Sequence, residues 1–382
     1  MLVELPKNSF DIYEQIREMT ADFAREQIRP QAERIDREEE FPEDLFKQMA
    51  ELGLFGITIP ESYGGGGVDC YGYAIVMEEL SRGYSAVADQ CGLVELVSTL
   101  IFLYGTDGQK ERYLRSITGF DAKVAYCLTE AEAGSDLSAI KTTARPHGSG
   151  WRLTGSKLWI NNGPLADVGI VLARTDPAKG HRGMSVFVVD LHAEGVSRGP
   201  KEQKMGQRGS HVGPLFFNEV ELGQEALLGE LHRGFYYIMS VLEKGRVGIG
   251  ALAVGIAQAG LEAALEYAKT RKQFGSPVAN FQGIQWLLAQ MAMEIAAARG
   301  LVHRAALLLD NGKPATEASS MAKCYASDMA VRQTAEAVQI FGGSGYIKGY
   351  EVERLYRDAK ITQIYEGTNQ IQRTIIARQL LK

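Results

Sequence analysis

The apolar residues of this chain keep one spacing near the N-terminus, change to another in the middle, and then return to the first. Over residues 1–120 they recur every three or four positions, as at Phe10, Ile12, Ile16, Met19 and Phe23, with charges between. That is the period of an amphipathic helix. Over 121–232 the period falls to two. GIVLART, MSVFVVD and GPLFFNEVEL read as strands, and GSGWRLTGSKLWI as two short strands joined by a Gly-Ser turn. From 233 to 382 the helical spacing resumes. The pattern predicts an α+β fold in three parts: an all-α region 1–120, a middle β domain 121–232, and a C-terminal α-helical bundle 233–382.

Punctuation refines this outline. Pro30 and Pro42 are expected to mark helix ends, and YGGGGVD at 63–69 a loop. The stretch 244–270 carries Gly245, Gly248, Gly250, Gly255 and Gly260 among alanines. Each glycine inside a helix costs about 1 kcal/mol relative to alanine. Such a helix must recover that through close packing or a ligand against its backbone. Further helices are expected at about 279–311, 315–341 and 351–359, with a last one beginning near Thr368.

Composition removes several function classes. With 41 basic and 47 acidic residues the formal charge is −6, which suits neither nucleic acid nor an anionic membrane. Cys70, Cys91, Cys127 and Cys324 stand apart, giving neither a disulfide framework nor a cysteine zinc site. The apolar runs around 91–104 and 248–260 are broken by Glu95 and Gln258 and read as too short to span a bilayer. The opening MLVELPKNSFDIYEQ lacks the order of a secretory signal, so a cytoplasmic location is expected. No G-x-G-x-x-G follows a strand, and neither a Walker loop nor a G-x-S-x-G elbow occurs. The six histidines form no ligand pair, so no metal is expected.

What remains is an ordered set of motifs: YCLTEAEAGSD at 126–136, KLWINNG at 157–163, LEKGR at 242–246, RKQFG at 271–275, QIFGGSGY at 339–346 and IYEGTNQIQR at 364–373. In this order, and over essentially the whole chain, the sequence resembles the acyl-CoA dehydrogenase family. The resemblance implies a helical N-terminal domain, a middle β-barrel or sandwich and a C-terminal four-helix bundle. It also implies FAD, and α,β-desaturation of an acyl-CoA to the trans-2-enoyl-CoA, as in fatty acid β-oxidation.

By the same resemblance Glu366 is the base that takes the α-proton while a hydride passes to flavin N5. Its backbone N–H and the flavin ribityl hydroxyl polarise the thioester carbonyl. Desolvation raises the pKa of a carboxylate closed into such a site, so that it accepts a proton more readily. Gly367 lets the backbone approach the thioester. Glu243 and Arg246 belong to the substrate region, where Arg246 keeps the base in order; an ion pair at the surface is the plainer reading. Some branches of the family carry the base immediately before that arginine, and here that position is Gly245.

The flavin contacts implied are Tyr126, Leu128 and Thr129, with Ser135 shared with substrate, and Trp159, Ile160 and Asn161 on the KLWINNG segment. Ser135-Asp136 also reads as simple turn capping, and Trp159 as a half-buried strand aromatic. Ala131-Glu132 stands where many members have Pro-Gly, and Asn161 where many have Thr or Ser. Arg271, Phe274 and Gln282 are implied to reach the FAD pyrophosphate and adenine across a subunit boundary. Gln339, Ile340, Gly342, Gly343, Thr368 and Gln370 complete the set. Arg271 at a helix C-terminus is equally well explained by the helix dipole.

A shared cofactor implies a dimer, and the family a homotetramer built as a dimer of dimers. Electron-transferring flavoprotein is the implied acceptor. On the helix around 86–104, Asp89 and Glu95 read first as acids that pair with another helix or face solvent, with contact of Asp89 to a polar or basic acyl tail as the second reading. Where glutaryl-specific members have an arginine, this chain has Tyr84. An oxidase or desulfinase on the same fold, and a cofactor-free helical scaffold, are the rival readings.

Overall fold

The computed structural model describes residues 9–382, with side chains from Asp11 onward, so the Phe10 side chain lies outside it. Helix α1 (Ser9–Phe23) passes through a π-helical turn at Ala24–Ile28 straight into α2 (Arg29–Glu38). Pro30, expected to end a helix, sits in the first turn of α2 instead. A proline lacks the N–H of an ordinary helical residue and crowds the carbonyl four residues back; the widened turn just before it relieves both. Ile16 and Phe23 pack on the core, whereas Ile12 and Met19 face outward.

Pro42 opens α3 (Glu43–Glu51). After the glycine loop come α4 (Cys70–Gly83), α5 (Ser85–Tyr104) and α6 (Asp107–Thr118). The Asp69 side chain caps α4 by accepting from the Gly72 N–H at 2.9 Å. Thr106 and Gln109 form a reciprocal capping box on α6.

The middle region is one eight-stranded sheet. Its strands are β1 (Val124–Cys127), β2 (Thr143–His147), β3 (Gly150–Asn161), β4 (Val168–Arg174), β5 (Met184–Asp190), β6 (Val196–Arg198), β7 (Val212–Leu222) and β8 (Leu227–Leu228). They pair in the order β6-β7-β3-β2-β4-β5-β8, with β1 parallel to β4. The expected Gly155-Ser156 turn is not a turn. β3 runs unbroken through it with a register shift between Leu153 and Gly155, and the tight turn is Gly148-Ser149 between β2 and β3. Strand pairs lie about 4.8 Å apart, so β3 and β5, three places apart, would be about 14 Å apart in a flat sheet. Trp151 on β3 and Phe187 on β5 nonetheless meet edge to face at 5.5 Å. The sheet therefore curls around its own core, while Ile170, Leu172, Val186 and Val188 on its other face join the helical core.

Helix α7 (Gly234–Thr270) is the axis of the C-terminal region. A two-residue hairpin, β9 (Lys272–Gln273) and β10 (Ser276–Pro277), follows it, then α8 (Gln282–Asp310), α9 (Thr316–Phe341), α10 (Glu351–Ala359) and α11 (Asn369–Leu380). α5 and α7 are long and apolar enough to cross a bilayer, contrary to the reading of their apolar runs as too short. Both are almost wholly buried among other helices, so their apolarity serves packing. The glycines of α7 are largely explained by close approach. A methyl group added at Gly255 would fall 1.9 Å from Ser81 Oγ and 2.2 Å from the Glu78 carbonyl oxygen, so α4 lies directly on the α7 backbone.

Candidate active site

Glu366 lies in a short loop between a 3-10 turn at Lys360–Gln363 and α11, whose first turn is capped by the Thr368 side chain. Glu366 has φ +51° and Gly367 φ +92°. A non-glycine residue in the left-handed region costs about 1–3 kcal/mol and persists only where its surroundings hold it. They do. Lys323 on α9 donates to the Gly367 carbonyl oxygen at 2.9 Å and to Asn369 Oδ1 at 3.0 Å. Gln372 Nε2 donates to the same carbonyl at 2.9 Å and to that of Glu366 at 3.3 Å. Asn369 in turn donates to Asp328 Oδ1 and Ser327 Oγ at 2.7 and 2.8 Å.

The carboxyl group held by this loop points at α7. Glu366 Oε2 is buried and has no hydrogen-bond partner within the protein. A methyl group added at Gly245 would sit 2.2 Å from it and 3.0 Å from Leu96 Cδ2. A side chain at 245 and the side chain of 366 therefore address one volume. Burial pushes the Glu366 carboxyl up to about 8, and Asp89 adds to the rise, while Lys323 and Arg246 oppose it. Arg246 is not a surface residue. It is 5% exposed, its Nε has no partner, and burial lowers its pKa against the attraction of Glu243 and Glu366. Glu243 itself accepts a hydrogen bond from Thr316 on α9.

The β domain forms the facing wall. The Leu158 N–H donates to the Thr129 carbonyl at 2.9 Å, and Lys157 Nζ to the Leu128 carbonyl at 2.9 Å and to Glu130 Oε1 at 2.8 Å. These bonds set the end of β1 beside the end of β3. The Tyr126 hydroxyl is buried without a partner, and Glu366 is near enough to add to the rise that burial causes in its pKa. Trp159 is not a half-buried strand aromatic. At φ +56° on an irregular stretch of β3 it is 59% exposed. Ile160 turns its side chain into the sheet's own core and presents only backbone. Asn161 Nδ2 donates to Asp89 Oδ2 at 2.7 Å, and the Ser210 hydroxyl lies 3.0 Å from both Asp89 Oδ2 and Asn161 Oδ1. One oxygen of Asp89 is thus engaged by the β domain rather than turned toward an acyl tail. Glu95 pairs with another helix, 3.3 Å from Lys244 Nζ on α7, and also accepts from the Thr58 hydroxyl.

The loop 130–136 is closed by mutual backbone bonds between Glu130 and Ala133, each 3.1 Å, with Glu132 paired to Lys141. Ala131-Glu132 thus still forms a tight turn, with Ser135 exposed beyond it. Thr368 and Gln370 lie on the Glu366 loop and its helix.

The remaining cofactor candidates stand elsewhere. Arg271 caps the far end of α7, where its N–H donates to the Tyr267 carbonyl at 2.8 Å. Phe274 is 98% exposed. Gln339, Gly342 and Gly343 are exposed at the C-terminus of α9, and Ile340 is buried there. Tyr267 and Phe341 stack at 4.1 Å, joining this end of α9 to this end of α7. Gln282 opens α8 just beyond. From Gly245 to Arg271 the helix rises about 39 Å at 1.5 Å per residue. The cofactor candidates of one chain therefore fall into two groups, set about this far apart along α7. A cavity of about 650 Å³ beside Tyr267, Phe341 and Arg354 belongs to this far end and not to Glu366.

The motifs leave out Lys323 and Ser210, and although they contain Lys157 and Glu130 they do not single out that buried pair. Lys323 had a signal: it is a lysine on the core stripe of α9, between Ala322 and Cys324 and four residues from the buried Ser319 and Ser327.

Three family models match consecutively: the N-terminal, middle and C-terminal domains of acyl-CoA dehydrogenase, over residues 11–121, 125–220 and 232–381. The chain is 46% identical over 367 residues to an acyl-CoA dehydrogenase of Bacillus subtilis, covering 96% of this chain and 97% of that protein. It is 44% identical over 370 residues to subunit CarC of the caffeyl-CoA reductase-Etf complex of Acetobacterium woodii, covering 96% and 97%. The solved butyryl-CoA dehydrogenase of Megasphaera elsdenii superimposes with a TM-score of 0.96 at 40% identity, covering all of both chains. With its helical, sheet and helical regions in this order and these matches along its length, the chain belongs to the FAD-dependent acyl-CoA dehydrogenase family of oxidoreductases.

Proposed function

We propose that the protein desaturates an acyl-CoA thioester between its α and β carbons, with Glu366 as the base. The observation that carries this reading is the buried, unpartnered Glu366 Oε2, held in a strained loop against Gly245 at a pKa near 8. A base for a weakly acidic C–H must be desolvated yet able to ionise near neutral pH. Arg246 and Lys323 supply the opposing charge that keeps the ionised form within reach. The Glu366 N–H has no partner among the described residues and is free to meet the thioester carbonyl.

The residues fit FAD on two counts. Tyr126 offers a buried hydroxyl without a partner, and Trp159 an indole exposed beside it on the β wall. Leu128, Thr129 and Asn161 would hold the isoalloxazine from that wall, with Ile160 contributing backbone; Thr368 and Gln370 lie next to Glu366. FAD supplies the acceptor for the hydride. Arg271, Phe274, Gln282, Gln339 and the Gly342-Gly343 turn would hold the ADP portion of a second protomer's cofactor. The 39 Å along α7 supports that exchange. So do the exposed Phe274, Trp286, Met293, Tyr346 and Ile347, a large apolar set for an isolated chain. A homodimer, paired again into a tetramer, would cover them. An electron-transferring flavoprotein is the proposed partner, supported by the Etf complex of the Acetobacterium relative.

A second direction has its own support. That relative is a reductase, and a carboxyl with a pKa near 8 is largely protonated at pH 7, suited to giving a proton to the α carbon of an enoyl-CoA. Glu366→Gln is expected to keep the yellow FAD and lose about 10²–10⁴-fold of activity in both directions, as removal of a general base does. Wild-type turnover by the variant overturns the assignment.

A further inference from the structure

Tyr73 on α4 is 1% exposed and belongs to the helical core. It is pressed between α5 and α7. A methyl group added at Gly248 would lie 2.2 Å from Tyr73 Oη, and one added at Gly92 would lie 3.5 Å from it. Gly248 is one turn beyond Gly245, whose own missing methyl marks the position of Glu366 Oε2. Side chains three residues apart on a helix are neighbours, about 5–6 Å between their Cβ atoms. The phenol and the carboxyl thus rest in successive glycine notches on one strip of α7.

The polar groups around Tyr73 are already committed. The Cys91 thiol donates to the Leu54 carbonyl. Glu95 is taken by Thr58, Thr99 and Lys244. Burial, with Cys91, Glu95 and Glu366 adding, holds the Tyr73 pKa well above its ordinary value, so the hydroxyl stays a neutral donor.

We infer that Tyr73 closes the acyl pocket one helical turn beyond Glu366 and donates a hydrogen bond to the end of a short acyl group bearing an acceptor there. This rests on the reading of the Glu366 site as an acyl-CoA site. With the α carbon at Glu366, only a few further carbons fit before the phenol, and a hydroxyl or carbonyl at that end meets its O–H.

The test uses FAD-loaded protein carrying Glu366→Gln, so that ligands bind without turning over, and measures the Kd of butyryl-, 4-hydroxybutyryl- and octanoyl-CoA by calorimetry. With Tyr73 present, 4-hydroxybutyryl-CoA is expected to bind several-fold tighter than butyryl-CoA. Adding Tyr73→Phe should remove that advantage, and adding Tyr73→Ala should improve octanoyl-CoA relative to butyryl-CoA by about tenfold. An unchanged 4-hydroxybutyryl to butyryl ratio in the Phe variant, or an unchanged octanoyl to butyryl ratio in the Ala variant, overturns the inference. If butyryl-CoA binds, the site reading stands whatever Tyr73 does; if no acyl-CoA binds, both fall.

Discussion

The Lys323 ammonium donates a hydrogen bond to the Gly367 carbonyl oxygen, 2.9 Å away, so a side chain from the middle of the bundle holds the loop that presents Glu366. Burial lowers the Lys323 pKa to about 8, against the attraction of Glu366.

Lys323→Met removes both the anchor and one of the two cations that oppose the rise at Glu366. The kcat is expected to fall at least tenfold with FAD retained. The rising limb of the kcat/KM pH profile should move above that of the wild type, a shift that simple loosening of the loop would not produce. An unmoved limb would confine Lys323 to a structural role.

If Glu366 is the base, dehydrogenation requires its carboxylate, so kcat/KM should rise with pH and reach half its plateau near 8. Stability runs the other way. The folded pKa lies above the ordinary glutamate value of 4.5, so the folded protein holds the extra proton between about 4.5 and 8. Stability from this group is full below that window and lost as pH rises through it. Glu366→Gln should therefore match the wild type in urea unfolding at pH 5. At pH 9 it should exceed the wild type by about 1–3 kcal/mol.

Gly245→Ala and Gly260→Ala form a matched pair on α7. A methyl at 245 meets Glu366 Oε2 at 2.2 Å, whereas at 260 the nearest atom is Ala337 Cβ at 3.6 Å. The first should cut kcat about 100-fold, as a misplaced base does. The second should leave kcat unchanged and stabilise the helix by about 0.5–1 kcal/mol. Steady-state kinetics and thermal melts of both variants check this.

Asp89→Asn removes the charge that adds to the rise at Glu366 and should move the pH limb downward, opposite to Lys323→Met. Its effect on acyl-chain preference should be small, because Asp89 Oδ2 is bound to Asn161 and Ser210. A changed chain preference with an unmoved limb would return Asp89 to the acyl tail.

If each cofactor is shared, Glu366→Gln and Arg271→Ala mixed in one dimer leave one complete site and one doubly defective one. Dimers co-purified with two different tags should show about half the wild-type activity, although each parent homodimer is impaired. No recovery would mean that both half-sites serve different ligands.

Local pattern determined much of this protein. The change of hydrophobic period marked the helical, sheet and helical regions and Thr368 announced the start of α11, whereas Glu366 was singled out by the family resemblance of its motif. These signals are legible because backbone geometry imposes fixed short repeats on side-chain direction. Pro30 and Gly155-Ser156 were misread because a widened helical turn and a strand bulge absorb residues that otherwise break an element. The use of the α7 glycines was decided only in three dimensions: Gly245 admits Glu366, Gly248 admits Tyr73, and Gly255 admits α4. So were the grip of Lys323 on Gly367 and the engagement of Asp89 by Asn161. These partners lie 44 or more residues apart in the chain. Their contacts arise from how packed elements meet, which no local repeat encodes.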